Sequence, residues 1–471
     1  AGGRMFFVWL AQLAATLIAA PPITLPPLPS NRLALGFDFG TSGARAVLLA
    51  ADGTRVGTSA DVKWGERERL QTASDWVEAL SELLEQIPRD LRARVARIGV
   101  SGTSSTVLIC ERESGSPSVC RGAPRMYDFS VAKQAPGECG ARALNLIAAH
   151  APPLHAARAA TSTLAKVLAW DAEAALTADE VVAHQADYVA AQLCGRAPDG
   201  TFRSDWHNAL KLGFDVSSLC YPTWLLAGEL GEKLADRLPQ VLRPGEAFGG
   251  ITAAAAEKWA LPSDCIVAAG STDSISAFLA SGAKDVGDAV SSLGSTLAIK
   301  LLSEVPVDDS SRGVYSHRLG DLWLVGGASN VGCAVLREQD FSDDELEELS
   351  VLIDVSSAPA QPDYYPLPAA IVGERFPTAD DSRVAKLEPV PASRADFLHS
   401  ILHGIARVEA QGYHALAQLG ASELRRVLTA GGGSRNAVWT ALRERMLGVS
   451  TSRAPEADAA VGVALLAARG A

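Results

Sequence analysis

The sequence predicts an α/β protein with two domains and a cleft between them, and three observations favour this class. The chain has 471 residues, of which 48% are hydrophobic and 20% are charged, so it can bury two separate cores. Short apolar runs bounded by turn residues predict strands, and apolar residues at helical spacing predict helices. A strand, a turn of small residues and a second strand recur in each half, which suggests a duplicated domain.

The first of these units opens with a buried strand from Leu33 to Phe37. The turn Asp38-Phe39-Gly40-Thr41-Ser42-Gly43 follows it, and a second strand runs from Ala46 to Ala50. After a polar start, the apolar residues between Ser74 and Ile87 have helical spacing and predict an amphipathic helix. Two more short strands, on either side of the turn Gly102-Thr103-Ser104-Ser105, are predicted at Arg97–Ser101 and Val107–Cys110.

The second unit is Ala289–Ser292, the turn Leu293-Gly294-Ser295-Thr296, and Leu297–Leu302. Between the two units, the run from Asp236 to Gly250 is rich in Pro and Gly, so we expect a surface connection there. The expected division is a leader or disordered segment at residues 1–30, an N-terminal domain at residues 31–275 and a C-terminal domain at residues 276–471.

The charge and the cysteines exclude some classes of function. The formal net charge is −12 and no run of Lys or Arg is present, which argues against a nucleic-acid partner. The seven cysteines are widely scattered with no C-x-x-C pair, a pattern that suits a reducing compartment rather than a disulfide framework. Any phosphate bound here must be met by local groups.

The turn from Asp38 to Gly43 is the first candidate site. It offers backbone N–H groups and hydroxyls to phosphate oxygens, and Gly40 and Gly43 let the backbone approach closely. Asp38, at the end of its strand, is placed to hold Mg²⁺ directly or through water. The alternative is an ordinary hairpin with a capping Asp. No G-K-[ST] follows, so this is not a Walker A loop.

The second candidate site is Gly270-Ser271-Thr272-Asp273. Gly270 is expected to end the apolar strand Cys265–Ala269, and Asp273 stands where a helix from Ser274 to Ala280 begins. A carboxylate at a helix N-terminus is stabilised as the anion, so it can accept a proton at neutral pH. The local sequence leaves helix capping and catalysis equally open.

The third candidate site is the run from Thr429 to Asn436, which contains three consecutive glycines before a helix at Ala437–Met446. Such a run favours a flat ligand against the backbone, and an adenine ring or ribose fits, with Ser434 or Asn436 bonding a polar edge. A flexible loop is the alternative. The weaker match Gly326-Gly327-Ala328-Ser329-Asn330 could cradle the α-phosphate or ribose.

These elements, in this order, resemble the FGGY family of carbohydrate kinases in the actin and hexokinase-like superfamily. The matching segments, within a resemblance that runs from about Arg32 to the C-terminus, are Asp38-Phe39-Gly40-Thr41-Ser42, Gly270-Ser271-Thr272-Asp273, Ser292-Leu293-Gly294-Ser295-Thr296 and Gly431-Gly432-Gly433-Ser434. The resemblance implies two actin/hexokinase-like, ribonuclease H-like domains with an ATP and sugar cleft between them.

The resemblance also implies roles for residues, with ATP and Mg²⁺ as cofactors. Asp273 would be the catalytic base, and Asp38 would hold the metal. The sugar would be bound by Asp38, Thr41, Ser42, Ser104 and Asp273. The nucleotide would be bound by Gly40, Thr41, Gly294, Ser295, Thr296, Gly327, Gly432, Gly433 and Asn436.

Within the family, Gly36–Arg45 looks like the plant and cyanobacterial branch once labelled xylulose kinase-like and now associated with D-ribulose. The segments Tyr364–Pro368, Gly373–Pro377 and Asp205–Lys211 point the same way. Bacterial xylulokinases carry Gly-Gln-Met-His where this chain has Gly102-Thr103-Ser104-Ser105, and a family Trp-x-Asp-x-Arg is reduced to Asp128. We therefore expect D-ribulose, with D-xylulose as an alternative and an actin-like ATP-binding regulator as an alternative of another class.

The N-terminal segment bears on location. From Met5 to Ala20 it is almost wholly apolar and uncharged, and five prolines follow between Pro21 and Pro29. A secretory signal, a plastid leader, an incorrectly assigned translation start and a membrane tether all stay open. Because ATP chemistry argues against export, we expect the plastid or the cytosol, with sugar and ATP as partners and neither nucleic acid nor membrane. The sequence leaves the oligomeric state open.

Overall fold

The structure is a computed structural model that describes residues 25–65 and 71–470. Residues 1–24 of the expected leader lie outside the described residues. In the remainder of that segment, Leu25 and Leu28 are buried and pack against the first large sheet and the C-terminal helix. These two leucines are part of the folded unit.

Strands and helices alternate along the described residues. The strands are β1 Leu33–Phe39, β2 Gly43–Ala50, β3 Ala60–Lys63, β4 Val95–Gly102, β5 Val107–Glu111, β6 Glu180–His184, β7 Arg203–Asp205, β8 Gln240–Leu242, β9 Ala247–Gly250, β10 Ile266–Thr272, β11 Asp288–Leu293, β12 Leu297–Ser303, β13 Tyr315–Leu319, β14 Leu322–Ser329, β15 Arg426–Ala430 and β16 Ser450–Arg453. The helices are α1 Ala73–Gln86, α2 Arg89–Arg92, α3 Val131–Gln134, α4 Cys139–His150, α5 Thr163–Glu173, α6 Gln185–Cys194, α7 Trp206–Ala209, α8 Thr223–Leu226, α9 Gly228–Leu234, α10 Ala253–Trp259, α11 Asp273–Ala280, α12 Ala334–Glu338, α13 Asp343–Ser350, α14 Arg394–Gln418, α15 Ala437–Leu447 and α16 Ala459–Arg469.

Two six-stranded sheets dominate the fold, in the orders β3-β2-β1-β4-β10-β9 and β13-β14-β12-β11-β15-β16. In the first sheet β1, β4 and β10 are parallel neighbours, and β2 and β3 are antiparallel to theirs. In the second, β11, β15 and β16 are parallel neighbours, and β12 and β14 are antiparallel to theirs. The same five-strand pattern therefore occurs twice, and the recurring strand–turn–strand unit is its beginning.

Each sheet has its own apolar core, and the C-terminal helix joins the two parts. One buried cluster lies around β1, β4 and α1, and another around β11, β12 and α14. Helix α16 follows the second sheet in sequence but packs on β1, β2 and β4 of the first, and against α11. A Cβ at Gly462 in α16 would lie 1.7 Å from the Ser276 carbonyl oxygen, so only glycine allows these two helices to cross this closely.

The predicted amphipathic helix is confirmed as α1, within a residue at each end. Its N-cap is Thr72, whose hydroxyl accepts from the Asp75 N–H at 3.2 Å while the Asp75 carboxylate accepts from the Thr72 N–H at 2.7 Å. This reciprocal pair is a capping box, which satisfies two backbone donors at the start of the helix. The buried face of α1 then lies on the first sheet.

Two local predictions were wrong. Gly270 does not end its strand, because β10 continues to Thr272 with a shift in register between Ala268 and Ser271. A Cβ at Gly270 would lie 1.8 Å from the Val100 carbonyl oxygen. Glycine is therefore required here by the close contact between β10 and β4, and it does not mark the end of the strand. The run 236–250 is not only a surface connection, because it contains β8 and the edge strand β9.

Of the part of the chain that the structure describes, no helix is both long and apolar enough to cross a membrane.

Candidate active site

The turn after β1 presents unused hydroxyls. Gly40 N–H donates to the Gly43 carbonyl at 3.0 Å, which closes the hairpin between β1 and β2. The indole N–H of Trp64 donates to the Gly40 carbonyl at 2.9 Å and fixes the turn from behind. The hydroxyls of Thr41 and Ser42 have no hydrogen-bond partner among the described residues, and both residues are accessible to solvent. The turn thus leaves both hydroxyls free for a ligand.

Asp38 lies at the edge where the parallel strands of the first sheet end. It is paired in register with Ser101 on β4, and the Ser101 hydroxyl donates to its Oδ1 at 2.7 Å. Burial and then the nearby Asp273 carboxylate raise the pKa of Asp38 to about 7, against the lowering effect of the Ser101 hydrogen bond. Asp38 and Asp273 therefore share one site, and the charge of Asp273 disfavours the charge on Asp38.

Asp273 is the first residue of α11, and Thr272 is the N-cap. Its Oδ1 accepts from the N–H of Ser274 at 2.6 Å, and part of its surface is accessible to solvent. Burial raises the pKa of Asp273, whereas the Ser274 N–H bond and the charges of Lys300 and Lys211 lower it. The carboxylate thus makes a local bond to the helix start and also faces charged groups from other elements.

Two residues that the sequence did not single out for the site link the second half to this edge. Lys300, on β12, donates to the Ser274 carbonyl at 2.7 Å, in the first turn of α11. Burial lowers the pKa of Lys300 to about 8, Asp273 raises it and Lys211 lowers it. His207, buried on α7, bonds Ser271 through Nδ1 at 2.8 Å and the Arg318 carbonyl through Nε2 at 2.7 Å. Strand β10 and the first turn of α11, on either side of Asp273, are therefore tied to the second sheet.

The loop after β4 shows only one residue to solvent. Gly102, Thr103 and Ser105 are buried, whereas Ser104 is partly accessible. The side-chain oxygen of Gln185 accepts from the Thr103 N–H at 2.9 Å and fixes the loop from below. Since β1, β4 and β10 are adjacent, the loop brings Ser104 to the edge that also carries Asp38 and Asp273.

The second group of predicted residues lies at the matching edge of the second sheet. The turn Gly294-Ser295-Thr296 joins β11 and β12, and Ser295 and Thr296 are exposed. The Ser295 hydroxyl accepts from Arg337 at 3.0 Å. The next parallel strand is β15, and Gly431 follows it with a φ of +84°. A Cβ at Gly431 would lie 2.5 Å from the Leu293 carbonyl oxygen, at the end of β11. The two turns are thus held side by side.

Two glycines of the run after β15 differ in the space around them. A Cβ at Gly432 would meet nothing within 4 Å, whereas a Cβ at Gly433 would lie 2.6 Å from the Trp439 ring. Asn436 is the N-cap of α15: its Oδ1 accepts from the Trp439 N–H at 2.9 Å, and its amide donates to Ser350 at 2.6 Å. Gly432 therefore faces open space, and the Asn436 side chain already has partners.

A cavity of about 420 Å³ lies beside this run, between the two halves. Its walls include Gly431 and Gly432 from one side and Arg45 and Arg55 from the hairpin of the first sheet. Arg45 donates to Asp61 at 2.6 Å and to Asp458 at 3.3 Å. Arg435 and Arg453 also line the cavity, as do Glu456 and Asp458, which form ion pairs with Arg55 and Arg45. Part of the positive charge of the wall is therefore neutralised, and the rest suits an anionic ligand.

The weaker predicted segment around Gly327 is a packing site. A Cβ at Gly327 would lie 2.6 Å from the Phe376 ring. The buried carboxylate of Glu374 accepts from the Ser329 hydroxyl at 2.6 Å and from the Asn330 N–H at 2.8 Å. The Gly373–Pro377 segment therefore holds the end of β14, and Gly327 makes room for it.

The carboxylates of the site fit a magnesium ion that is shared with a phosphate. Within the described residues no group of three or more His, Cys, Asp or Glu could hold a metal. Asp38 and Asp273 repel each other, so a cation near them would relieve that repulsion. Mg²⁺ in phosphotransfer sites is commonly held by one or two carboxylates together with substrate phosphates. The pair thus suits Mg²⁺ only in company with a nucleotide.

A family comparison bears on the second half of the chain. Residues 289–471 match the model of the FGGY family of carbohydrate kinases, C-terminal domain. The matched part contains the turn 294–296, the glycine run 431–433 and α16, the helix that packs on the first sheet. This part of the chain is therefore similar to the C-terminal domain of that family.

Solved structures extend the similarity beyond residues 289–471 to the fold of most of the chain. A xyloylose kinase from Brucella ovis is 22% identical, with a TM-score of 0.76 and coverage of 93% of this chain and 91% of that one. A ligand-bound xylulose kinase from Lactobacillus acidophilus is 16% identical, with a TM-score of 0.75 and coverage of 93% and 89%. A Plasmodium falciparum glycerol kinase with ADP is 14% identical, with a TM-score of 0.71 and coverage of 92% and 88%. The predicted fold of two actin/hexokinase-like, ribonuclease H-like domains is confirmed.

Proposed function

We propose that the protein is an ATP-dependent kinase that phosphorylates a primary hydroxyl of a ketopentose, with D-ribulose as substrate and D-ribulose 5-phosphate as product. The observation that carries this proposal is the meeting of Asp38, Ser104 and Asp273 at the end of three parallel strands. The second half, which matches the FGGY C-terminal domain model, would supply the opposite side. Strand ends of this kind position polar groups on a rigid scaffold.

In the proposed mechanism Asp273 accepts the proton of O5 as this oxygen attacks the γ-phosphate of ATP in line, and ADP leaves as the bond between the γ-phosphorus and the β–γ bridging oxygen breaks. Phosphoryl transfer depends on positioning and charge neutralisation more than on covalent chemistry. The free hydroxyls of Thr41 and Ser42 and the turn 294–296 would bind phosphate oxygens from the two sides. Asp38 would hold Mg²⁺, which neutralises phosphate charge when bound.

The adenosine part of ATP would lie along the Gly431–Gly433 run, and the adjoining arginine-rich cavity supports nucleotide binding on this side. Gly432 supports this assignment because its open face leaves room for a ring or ribose. Asn436 and Gly327 would act by shaping the site, since the first caps α15 and the second packs on Phe376.

D-xylulose is the second candidate, because two of the similar solved structures carry xylulose or xyloylose kinase in their names. The loop Gly102–Ser105 has no imidazole to offer a sugar. This difference from bacterial xylulokinases, together with the resemblance to the ribulose branch, favours D-ribulose over D-xylulose. An actin-like regulator would bind ATP but release no ADP in response to sugar.

The test of the proposal is a coupled ADP-release assay over D-ribulose, L-ribulose, D-xylulose, glycerol and aldoses. D-ribulose should give the highest kcat/KM. A clear preference for glycerol or an aldohexose would overturn the ketopentose assignment, and no stimulation by any sugar would favour the regulator.

The role of Asp273 is tested by Asp273→Asn. General-base catalysis is typically worth roughly 10²- to 10⁴-fold, so kcat should fall by about that factor while ATP affinity, measured by calorimetry, stays nearly unchanged. The control is Asp285→Asn, which replaces an exposed carboxylate elsewhere and should keep wild-type turnover. Retained phosphoryl transfer in Asp273→Asn would contradict the assignment.

A further inference from the structure

Lys166 is a buried lysine outside the groups assigned so far. It lies on α5, its side chain is 0% exposed, and that helix packs in an apolar cluster of the first half. Burying an ammonium in such surroundings is costly unless every N–H finds an acceptor. A methionine or leucine would fill the same space without that cost.

The ammonium of Lys166 has three acceptors, all of them backbone carbonyls. It donates to Ser105 at 2.9 Å, to Met126 at 2.7 Å and to Tyr127 at 3.4 Å. Ser105 belongs to the loop after β4, and the other two belong to the loop that leads to Asp128. One side chain therefore joins two loops that are distant in sequence.

Each of these loops carries an accessible polar side chain. In the first loop Ser104 is accessible while its neighbours are buried, and in the second loop Asp128 is exposed. Ser105 has a φ of +70° and a buried hydroxyl with no hydrogen-bond partner among the described residues. A strained residue of this kind persists only where its surroundings hold it.

Arg125 adds further hydrogen bonds between the same segments, which together with Lys166 form a junction of α5 and the two loops. Its Nη1 donates to the carbonyl of Lys166 at 2.8 Å, and its Nη2 is paired with Glu173. Its backbone also forms two hydrogen bonds with Val107, at 3.1 and 2.9 Å. Helix α5 and the two loops thus form one connected unit.

The charged groups that face Lys166 come from two other segments, the loop 125–129 and the turn that carries Lys211. Burial lowers the pKa of Lys166 to about 7; the nearby Lys211 lowers it, Asp128 raises it and Arg125 lowers it. Lys211 also lowers the pKa of Asp273, so it lies within electrostatic reach of both groups. The geometric link to the site is the loop of Ser104, which Lys166 holds through Ser105 and which follows β4, the strand between β1 and β10.

We propose that Lys166 is a positioning residue for the acceptor sugar, which sets the loops of Ser104 and Asp128 at the spacing that the sugar requires. This inference rests on the proposed function for the identity of the ligand. The geometry of the junction, two loops held by one ammonium, is independent of it.

The test compares Lys166→Met, which keeps the length of the side chain but has no donors, with wild type and Lys166→Arg. Lys233→Met is the control, because Lys233 is a partly exposed lysine of the same half with an ion pair to Asp171 at 2.8 Å. Affinity for D-ribulose is measured by calorimetry, and KM for sugar and for ATP by ADP release. Hydrogen exchange of residues 102–106 and 125–129 reports on the loops.

We expect Lys166→Met to weaken sugar affinity and sugar kcat/KM by roughly 10- to 100-fold, since a small misplacement of binding groups can cost about that much. ATP affinity should stay unchanged, exchange in both loops should rise, and Lys166→Arg should recover part of the sugar affinity. The Lys233 variant should behave as wild type.

Faster exchange with unchanged sugar affinity would overturn the inference, because Lys166 would then only stabilise the fold. Equal losses for sugar and ATP would overturn it as well. If wild type binds D-ribulose but releases no ADP, the proposed function fails and the calorimetric comparison still decides the role of Lys166. If wild type binds no sugar, both proposals fall.

Discussion

Opposing effects on the pKa of Asp273 determine the pH range in which its carboxylate can accept a proton. Burial favours the neutral acid, whereas the Ser274 N–H, Lys300 and Lys211 favour the anion. A base must be ionised to act, so the cations around it have a functional consequence. The acid limb of the pH–rate profile should lie above the ordinary pKa of an aspartate because the pKa of Asp273 is raised.

Replacing Lys300 with Met should move that limb. The charge of Lys300 lowers the pKa of Asp273, so its removal raises this pKa, and the fraction ionised at a given acidic pH falls. The limb of kcat/KM should shift to higher pH, with activity near pH 8 affected least. Lys300→Arg keeps the charge and should leave the limb close to wild type. A profile of Lys300→Met that only scales down at every pH would show that the charge does not tune the base.

At the residue scale the sequence indicates some of the site and misses the rest for a physical reason. Asp38 and Asp273 stand at strand ends beside glycine and hydroxyl residues, and this local pattern can be recognised in the sequence. Lys300 and Lys166 are single lysines inside apolar runs, and their partners lie 26 and 61 residues away in the chain. Only tertiary packing reveals such contacts.

At the element scale, a buried ion pair contacts both strands that lead into the turn 294–296 and the glycine run 431–433. Arg443 on α15 donates to both oxygens of Glu409 on α14 at 2.6 Å, and to the Thr429 hydroxyl on β15 at 2.8 Å. The Ser291 hydroxyl on β11 donates to the same carboxylate. Neither charged side chain is more than 1% exposed. The pair thus fixes β11 and β15 beneath their turns.

Arg443→Met should therefore destabilise the second half strongly. It leaves the Glu409 carboxylate buried without its cation, and breaking a buried pair in this way typically costs about 3–5 kcal/mol. The free energy of unfolding is measured by urea titration followed by tryptophan fluorescence. Arg445→Met, which replaces an exposed arginine on the same helix, should stay within about 0.5 kcal/mol of wild type. Equal, small changes in both variants would show that the pair contributes little.

The elements themselves were predictable where apolar runs meet strong turns and unpredictable where Pro and Gly dominate. Strands β1, β2, β4, β11 and β12 were located within three residues because each borders a turn of small residues. Strands β8 and β9 were missed, since Pro239, Pro244 and Gly249 weaken any strand pattern. Strand β9 is the edge strand of its sheet, and there its backbone needs partners on one side only.

At the scale of the whole molecule, the sequence predicts the duplication but not how the halves are joined. The repeated turn is visible in the chain, whereas the return of α16 to the first sheet depends on the close crossing at Gly462. Helices α11 and α16 cross between the sheets, and α11 begins with Asp273. A rotation of one sheet against the other about these two helices would therefore change the distance between the phosphate turns with little change in either core.

We expect ligand binding to drive such a rotation, because the proposed phosphate-binding hydroxyls of Thr41 and Ser42 and the turn 294–296 belong to different sheets. One triphosphate can satisfy both only when the sheets approach, and closure would exclude water from the transfer. Asp273→Asn allows ATP and D-ribulose to be present together with little turnover. Its radius of gyration, measured by X-ray scattering, should fall with both ligands and fall less with either alone. An unchanged radius with both ligands bound, as verified by calorimetry, would mean that the two turns are already at their working distance and that closure is not part of the mechanism.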